Sequence, residues 1–405
     1  MVTGMGCVSG LGLGLETTWR RISRGEGAIR VAERQMAVGE QEFGFSGPAA
    51  WLHRSECESR LVTRDLRRLG QLDPASTYAL VAMLEAVGEA GLMDHPVLAR
   101  RTGVVLGCGS GGNATIDLAY ARLYAQGRAK VHPQTIPSSM TSAPASHIAM
   151  LLGIHGPAFV LSSACASSAH AIGEAMHMVR SGRLDVAIAG GSEACLSHGS
   201  WVAWQSLGVL ASDTCRPFSK NRKGMVLGEG AAILVLESEV HAKARGATIL
   251  GELAGYGASS DAGAMTAPNQ AGIEIAIRAA HSDAGIAPGE PALISAHGTG
   301  TAVNDPVEAA ATNAVYGPVL AGHTVIATKS AHGHLIGATA ALEFVIGMKA
   351  LAEGLAPPVL NLIEPDPACD LPLALEARPI AHEVLVSNSF AFGGLNAVLI
   401  GRKAA

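Results

Sequence analysis

The sequence predicts an α/β fold in which a mostly parallel sheet is covered by helices. Short aliphatic or β-branched runs alternate with longer helical patterns along the chain. Glycine reaches 49 residues while aromatics make up only 4%, a balance suited to tight turns and to small-residue helices packed closely on strands. With 405 residues, 48% hydrophobic and 16% charged, the chain has material for a large core and for two domains.

Taken in order, GVVLG at 103 to 107 reads as a strand, followed by a helix and then by strand-like AFVLSSA at 158 to 164. DVAIAGG at 185 to 191 and AILVLES at 232 to 238 are the next strands. A helix ending at Gly246 follows, and a new strand starts at Ala247. The second part repeats the theme: helix 269 to 285, strand ALISA at 292 to 296, helix 305 to 316, strand TVIATK at 324 to 329, helix 338 to 353 and two late strands. This places a boundary near residues 246 to 250, between halves 1–246 and 247–405. Both parts end in a β-pair and present a loop of small residues running into a helix, which suggests related halves without visible sequence repetition.

The formal charge of -5 offers no global attraction to nucleic acid or to an anionic membrane. No window approaches the ~18 uninterrupted apolar residues of a membrane span, and MVTGMGCVSGLG lacks a basic, then apolar, leader pattern. The expected location is the cytoplasm. The first strand begins abruptly, so the true start is expected a few residues upstream. Seven cysteines, an odd number at irregular spacing, argue against a disulfide framework or a structural zinc site.

One cysteine stands apart. In LSSACASSAHAIGEAMHMVRSG an apolar strand stops at Cys165 and a helix begins within a residue or two. A thiol at a helix N-terminus meets unpaired backbone N–H groups that lower its pKa and favour the nucleophilic thiolate; the alternative is one more buried small residue. Of fifteen histidines, His297 in ISAHGTGTAVNDPVE and His334 in TKSAHGHLIGATAALE lie in glycine-bracketed loops at strand ends, where α/β folds collect catalytic groups. Lys329 stands five residues before His334, and Glu308 lies one helical turn after Asp305. A buried lysine needs a partner, so a Lys329–Glu308 pair that orients the histidine loops is expected, against the alternative of an exposed lysine. In SNSFAFGGLNAVLI, Gly393 and Gly394 permit a turn that aims the Phe392 amide, which with the Cys165 amide would form an oxyanion hole; the alternative is an ordinary β-turn between strands.

Two motifs are set aside. GCGSGGN at 107 to 113 has neither the GxGxxG spacing nor an acidic ribose partner, and is assigned to a turn lining a pocket. The His332/His334 pair has no neighbouring carboxylate or cysteine cluster to complete a metal site, so no metal is expected.

Together SACASSAHAIG, AHGTGTxxND, TKSxxGHLIGA and SNSFxFGG resemble the four signature segments of the β-ketoacyl synthase I/II family, in order and spacing, and the likeness runs over nearly the whole chain. The resemblance implies the thiolase fold, two βαβαβαββ halves in a five-layered αβαβα sandwich, usually a homodimer. It implies that Cys165 is the nucleophile, His297 and His334 the catalytic histidines, Lys329 the structural lysine and Glu308 its partner carboxylate. Thr299 and Thr301 match threonines that hold the phosphopantetheine arm, and Phe392 matches a gate to the acyl pocket. Ser110 falls where a residue limits that pocket's depth, and its small size implies a roomy one. The implied reaction is decarboxylative Claisen condensation of a Cys165-bound acyl group with a malonyl unit on acyl carrier protein, with no bound cofactor. The family's carrier is acidic, and Arg64, Arg67 and Arg68 form a basic cluster expected to dock it.

Some positions depart from the family pattern: Ser219, Lys223, Met225, His332, Ala391 and Leu395. Ala391 is expected to stiffen the gating loop. CRPFSxxRKGxVLGEG and EPDPxCDL look more like rhizobial nodulation ketosynthases and specialised-lipid or polyene synthases than like housekeeping elongation enzymes. The alternatives are a subunit that works only in a heterodimer with a chain-length factor, a non-condensing scaffold, and a thiolase. Cys165 with both histidines argues against a chain-length factor itself, and Cys369 in PACDL is not the second cysteine loop of a thiolase.

Overall fold

Ten strands form one continuous sheet path, and their order is set by which segments alternate with helices. In the computed structural model, which describes residues 1–38, 41–62, 67 and 69–404, these are β1 (Val2–Ser9), β2 (Thr102–Gly107), β3 (Ala158–Leu161), β4 (Val186–Glu193), β5 (Gly230–Glu237), β6 (Gly251–Ser260), β7 (Ala292–Ser295), β8 (Thr324–Ile326), β9 (Val384–Ala391) and β10 (Leu395–Lys403). Their spatial order is β3-β2-β4-β5-β1-β6-β10-β9-β7-β8. Each five-strand half has the same plan. β2 is parallel to β3 and β4, as β7 is to β8 and β9, while the remaining neighbours are antiparallel. The halves meet where Val2 pairs with Gly251.

Helices make the other layers. α1 (Pro74–Glu89) packs on β1, β5 and β4 from outside. α2 (Ser167–Arg180) and α6 (Thr339–Glu353) lie between the two half-sheets and touch both. Between them come α3 (His198–Ser206), α4 (Gln270–Ala284), which covers β6 and β10, and α5 (Asn304–Tyr316), packed on α4. The result is the five-layered α/β/α/β/α thiolase fold. A helix enclosed by two sheets must be apolar on all sides, and α6 is buried continuously from Thr339 to Met348. Small residues let these layers approach: a Cβ on Gly107 would lie 2.2 Å from the Ser168 amide nitrogen.

The periodic elements fall close to their expected ranges, but the sheet is mixed rather than mostly parallel, five antiparallel pairs to four parallel along the ten-strand path. AFVLSSA is a strand only to Leu161, where the turn toward Cys165 begins. β6 begins at Gly251 rather than at Ala247. TVIATK is a strand only to Ile326, and Lys329 opens a short helix, Lys329–His332. An antiparallel hairpin, Arg30–Val38 with Gln41–Ala50, was not foreseen.

Candidate active site

The turn that presents Cys165 is strained. Ala164 has φ 50° and opens a one-turn 3₁₀ helix, Ala164–Ala166, that leads from β3 into α2. A left-handed non-glycine residue needs local support. Here Ser167 Oγ accepts from the Ser163 amide (2.9 Å) and donates to the Ala164 carbonyl (2.7 Å). Cys165 is 6% exposed. Burial pushes its thiol up to about 11, against the downward pull of Lys329 and of the Phe392 and Cys165 backbone N–H groups. The expectation of a thiol lowered by the helix terminus is therefore corrected: desolvation outweighs the local dipoles in the resting site.

His297 and His334 come from the other half. One nitrogen of each imidazole and the Cys165 sulfur lie within 4.8 Å of one another. The rings stand nearly perpendicular, 5.6 Å between centroids. Lys329 Nζ donates to His297 Nδ1 (3.3 Å), so a neutral His297 carries its proton on Nε2. His334 Nδ1 accepts from the Ile336 amide (3.2 Å) and lies 2.8 Å from Thr339 Oγ1, which places the proton on Nε2 there too. That Nε2 is buried without a protein partner among the described residues. Burial, then Lys329, holds both histidines well below their usual range, so both are neutral at physiological pH.

The expected Lys329–Glu308 pair is not formed. Lys329 Nζ is 2.9 Å from both carboxylate oxygens of Glu343, in α6, and also donates to the His297 carbonyl. Glu308 instead accepts from the backbone amides of His297 (2.6 Å) and Gly298 (2.8 Å), which satisfy its two oxygens. Burial lifts Glu308 to about 7 against those amides. Asp305 caps the same loop, accepting from the Phe218 and Gly300 amides. Glu343 was missed in the sequence; the signal that could have found it is the lone acid in TAALEFVIGMKAL, since an acid inside a buried helix requires a cation.

Thr299, Thr301 and Phe392 line the same cavity as Cys165 and the two histidines, about 240 Å³ in volume. Thr299 and Thr301 share a 3.0 Å hydrogen bond. The Phe392 ring faces Trp204 of α3, 6.2 Å away, and Trp204 also lines the cavity, which sequence reasoning missed. The turn after Phe392 is tied to an outer loop by the Gly393 amide on the Met265 carbonyl (2.7 Å). Gly393 and Gly394 adopt φ 83° and 69°, whereas Ala391 ends β9, so an alanine there loses nothing that the backbone needs. Met225 lines the cavity too.

Ser110 does not line this cavity. Its hydroxyl is turned to Glu193 Oε1 (2.7 Å), so its small size does not enlarge the space around Cys165. His332 uses both nitrogens locally, on Thr328 Oγ1 (2.9 Å) and the Gly333 carbonyl (2.7 Å), and makes no metal pair with His334. Of the basic cluster, Arg67 is exposed, and Arg64 and Arg68 lie outside the described residues.

Thiol chemistry in a pocket shared by two matched half-sheets places the protein among the thiolase-fold acyltransferases. Residues 1–242 match the family described as "Beta-ketoacyl synthase, N-terminal domain" and residues 250–363 its C-terminal domain. Nodulation protein E of Rhizobium leguminosarum bv. trifolii is 40% identical over 403 residues, covering 100% of this chain and 98% of the relative. The 3-oxoacyl-[acyl-carrier-protein] synthase 2 of Staphylococcus aureus (strain COL) is 35% identical over 411 residues, with 100% and 98% covered. Among solved structures, the ishigamide ketosynthase/chain length factor superposes with TM-score 0.90 at 33% identity, covering 100% of this chain and 98% of that one. The chain belongs to the β-ketoacyl synthase family and is an acyltransferase of the condensing type.

Proposed function

We propose that Cys165 takes an acyl group from a carrier-bound thioester, releasing the pantetheine thiol, and that a malonyl thioester on acyl carrier protein then binds and loses CO₂. The resulting enolate carbon attacks the acyl-cysteine carbonyl, and collapse of the tetrahedral oxyanion expels Cys165 and yields the β-ketoacyl thioester. The Nε2–H groups of His297 and His334 donate to the malonyl thioester oxygen as enolate charge develops, and the Cys165 and Phe392 amides receive the oxyanion. Thr299 and Thr301 hold the pantetheine arm. Residues 1–246 form the half that supplies Cys165, and 247–405 the half that supplies both histidines.

The observation that carries this reading is the convergence of the Cys165 sulfur with two neutral imidazoles, each held with its proton on the pocket side. No metal or tightly bound organic cofactor enters this scheme, since the acyl groups arrive on the carrier's phosphopantetheine. The seven free thiols suit the reducing cytoplasm, where we place the protein. Edge strand β3 leaves Ala158 and Phe159 exposed, a face suited to a second copy or to a chain-length factor.

Intact-protein mass spectrometry after incubation with acyl carrier proteins of several chain lengths tests the first half-reaction. An acyl increment in the wild type and none in Cys165→Ala is expected, followed by CO₂ release and chain extension when malonyl carrier is added. No increment with any primer, alone or with a chain-length-factor partner, would overturn the condensing reading.

A further inference from the structure

We propose that Glu193 is a positioning residue for His334: its carboxylate clamps the Cys108–Gly112 turn to the Gly337 amide and so keeps the adjoining Ile336 N–H on His334 Nδ1. The proposal rests on the condensing reading above and adds a residue that none of the motifs contains.

Glu193 ends β4 and is fully buried. Its Oε2 accepts from the amides of Gly109 (2.7 Å) and Gly337 (3.1 Å), and its Oε1 from the Ser110 amide (3.2 Å) and hydroxyl (2.7 Å). One side chain thus joins a turn of the first half to a turn of the second. The two turns are in backbone contact: a Cβ on Gly337 would sit 2.4 Å from the Gly109 nitrogen, and one on Gly109 would sit 2.8 Å from Glu193 Oε2. Burying a carboxylate among amide dipoles is costly. A carboxylate is nevertheless the group that accepts from all four donors at once.

The link to His334 runs through one peptide. Ile336 has φ 44°, a conformation that a β-branched residue holds only when its neighbours fix it. Its amide donates to His334 Nδ1 on one side, and the next amide, Gly337, is held by Glu193 on the other. The duplicated plan sharpens this. Ala164 (φ 50°) and Ile336 (φ 44°) each open a one-turn 3₁₀ helix that leads into a central helix, α2 or α6. In the first half the amide after the strained residue belongs to Cys165 and approaches its sulfur. In the second half the equivalent amide, Gly337, is capped by Glu193. The second turn is therefore closed to substrate and committed to orienting a histidine.

Glu193→Gln tests this, because glutamine offers one accepting oxygen for the four donors that the carboxylate holds, so the Gly109, Ser110 and Gly337 amides cannot all be kept. Acyl transfer to Cys165, which does not use His334, is expected to stay near wild type. Malonyl decarboxylation and condensation are expected to fall about tenfold or more in kcat, with KM for malonyl carrier little changed. A parallel loss of both half-reactions, or unchanged condensation, would overturn the proposal. If the glutamine variant loses its cooperative melting transition, Glu193→Asp keeps the charge but reaches one turn only, and the same split between half-reactions is expected of it. Wild-type protein that acylates but never condenses would sink the functional reading, and this one with it. Wild-type condensation beside unaffected variants would sink this one alone.

Discussion

Cys165 carries two opposed influences. Strand-to-helix geometry brings backbone N–H groups to the sulfur, yet burial dominates and leaves the thiol near 11. A thiol with a pKa above the working pH is protonated at rest, and its thiolate fraction rises about tenfold per pH unit until the pKa is reached. Iodoacetamide alkylation of Cys165 is therefore expected to accelerate steadily from pH 7 to 9. His297 and His334, both held well below their usual range, stay neutral throughout and add no inflection. Rates that level off near pH 7 would show a thiolate already formed and contradict this ordering. The convergence of Cys165 with both imidazoles involves residues already singled out in the sequence, because each sits in a glycine-bracketed or small-residue turn at a strand end. Their supports were not legible there, since Lys329 meets Glu343 through the packing of a short helix on α6, and sequence spacing alone pointed to Glu308. That pair is 1% exposed on each side. Removing one partner would leave a buried charge, at a cost of about 3–5 kcal/mol.

Segments carry the next level of information, and periodicity recovered most of the strands and helices of both halves. It failed at TVIATK because Thr328 and His332 close a helical turn that no pattern of apolar residues announces. The EPDP segment shows what a distinctive sequence does once folded. Asp366 caps Pro367–Cys369 through the Ala368 amide (2.9 Å) and pairs with Arg222 of the RKG segment. Arg222 Nε donates in turn to the Thr301 carbonyl (3.0 Å), beside the cavity that holds Cys165. Two segments distant in sequence thus clasp the threonine loop. Arg222→Ala and Asp366→Asn are each expected to raise KM for carrier-bound substrates severalfold while kcat changes little, because in the proposed reaction the loop holds the substrate arm and not the reacting atoms. Steady-state kinetics with saturating second substrate checks this. An equal fall in kcat with KM unchanged would place the clasp's effect on the chemical step.

At the scale of the whole molecule, duplication explains how one site draws on both ends of the chain. Each half contributes a strained turn leading into a central helix, and the two helices pack side by side, so Cys165 faces His297 and His334 across the middle layer. The repeated order of elements hinted at this, but the mirrored strand order became visible only in the folded sheet. Charge acts at the same scale. The chain carries a formal charge of -5, so it repels an acidic carrier protein on average, and docking requires a local basic surface. Arg64, Arg67 and Arg68 are the cluster that the sequence offers, and Arg67 is exposed. Replacing all three by glutamate is expected to raise KM for the carrier about tenfold or more at low ionic strength, through slower association, and to leave kcat near wild type. Raising the salt should shrink the gap between wild type and variant, since exposed charges are screened within about 10 Å at 0.1 M. Acylation of Cys165 by a small thioester that lacks the carrier should be unaffected, which separates docking from damage to the site. An unchanged KM for the carrier would instead direct the carrier to another face of the molecule.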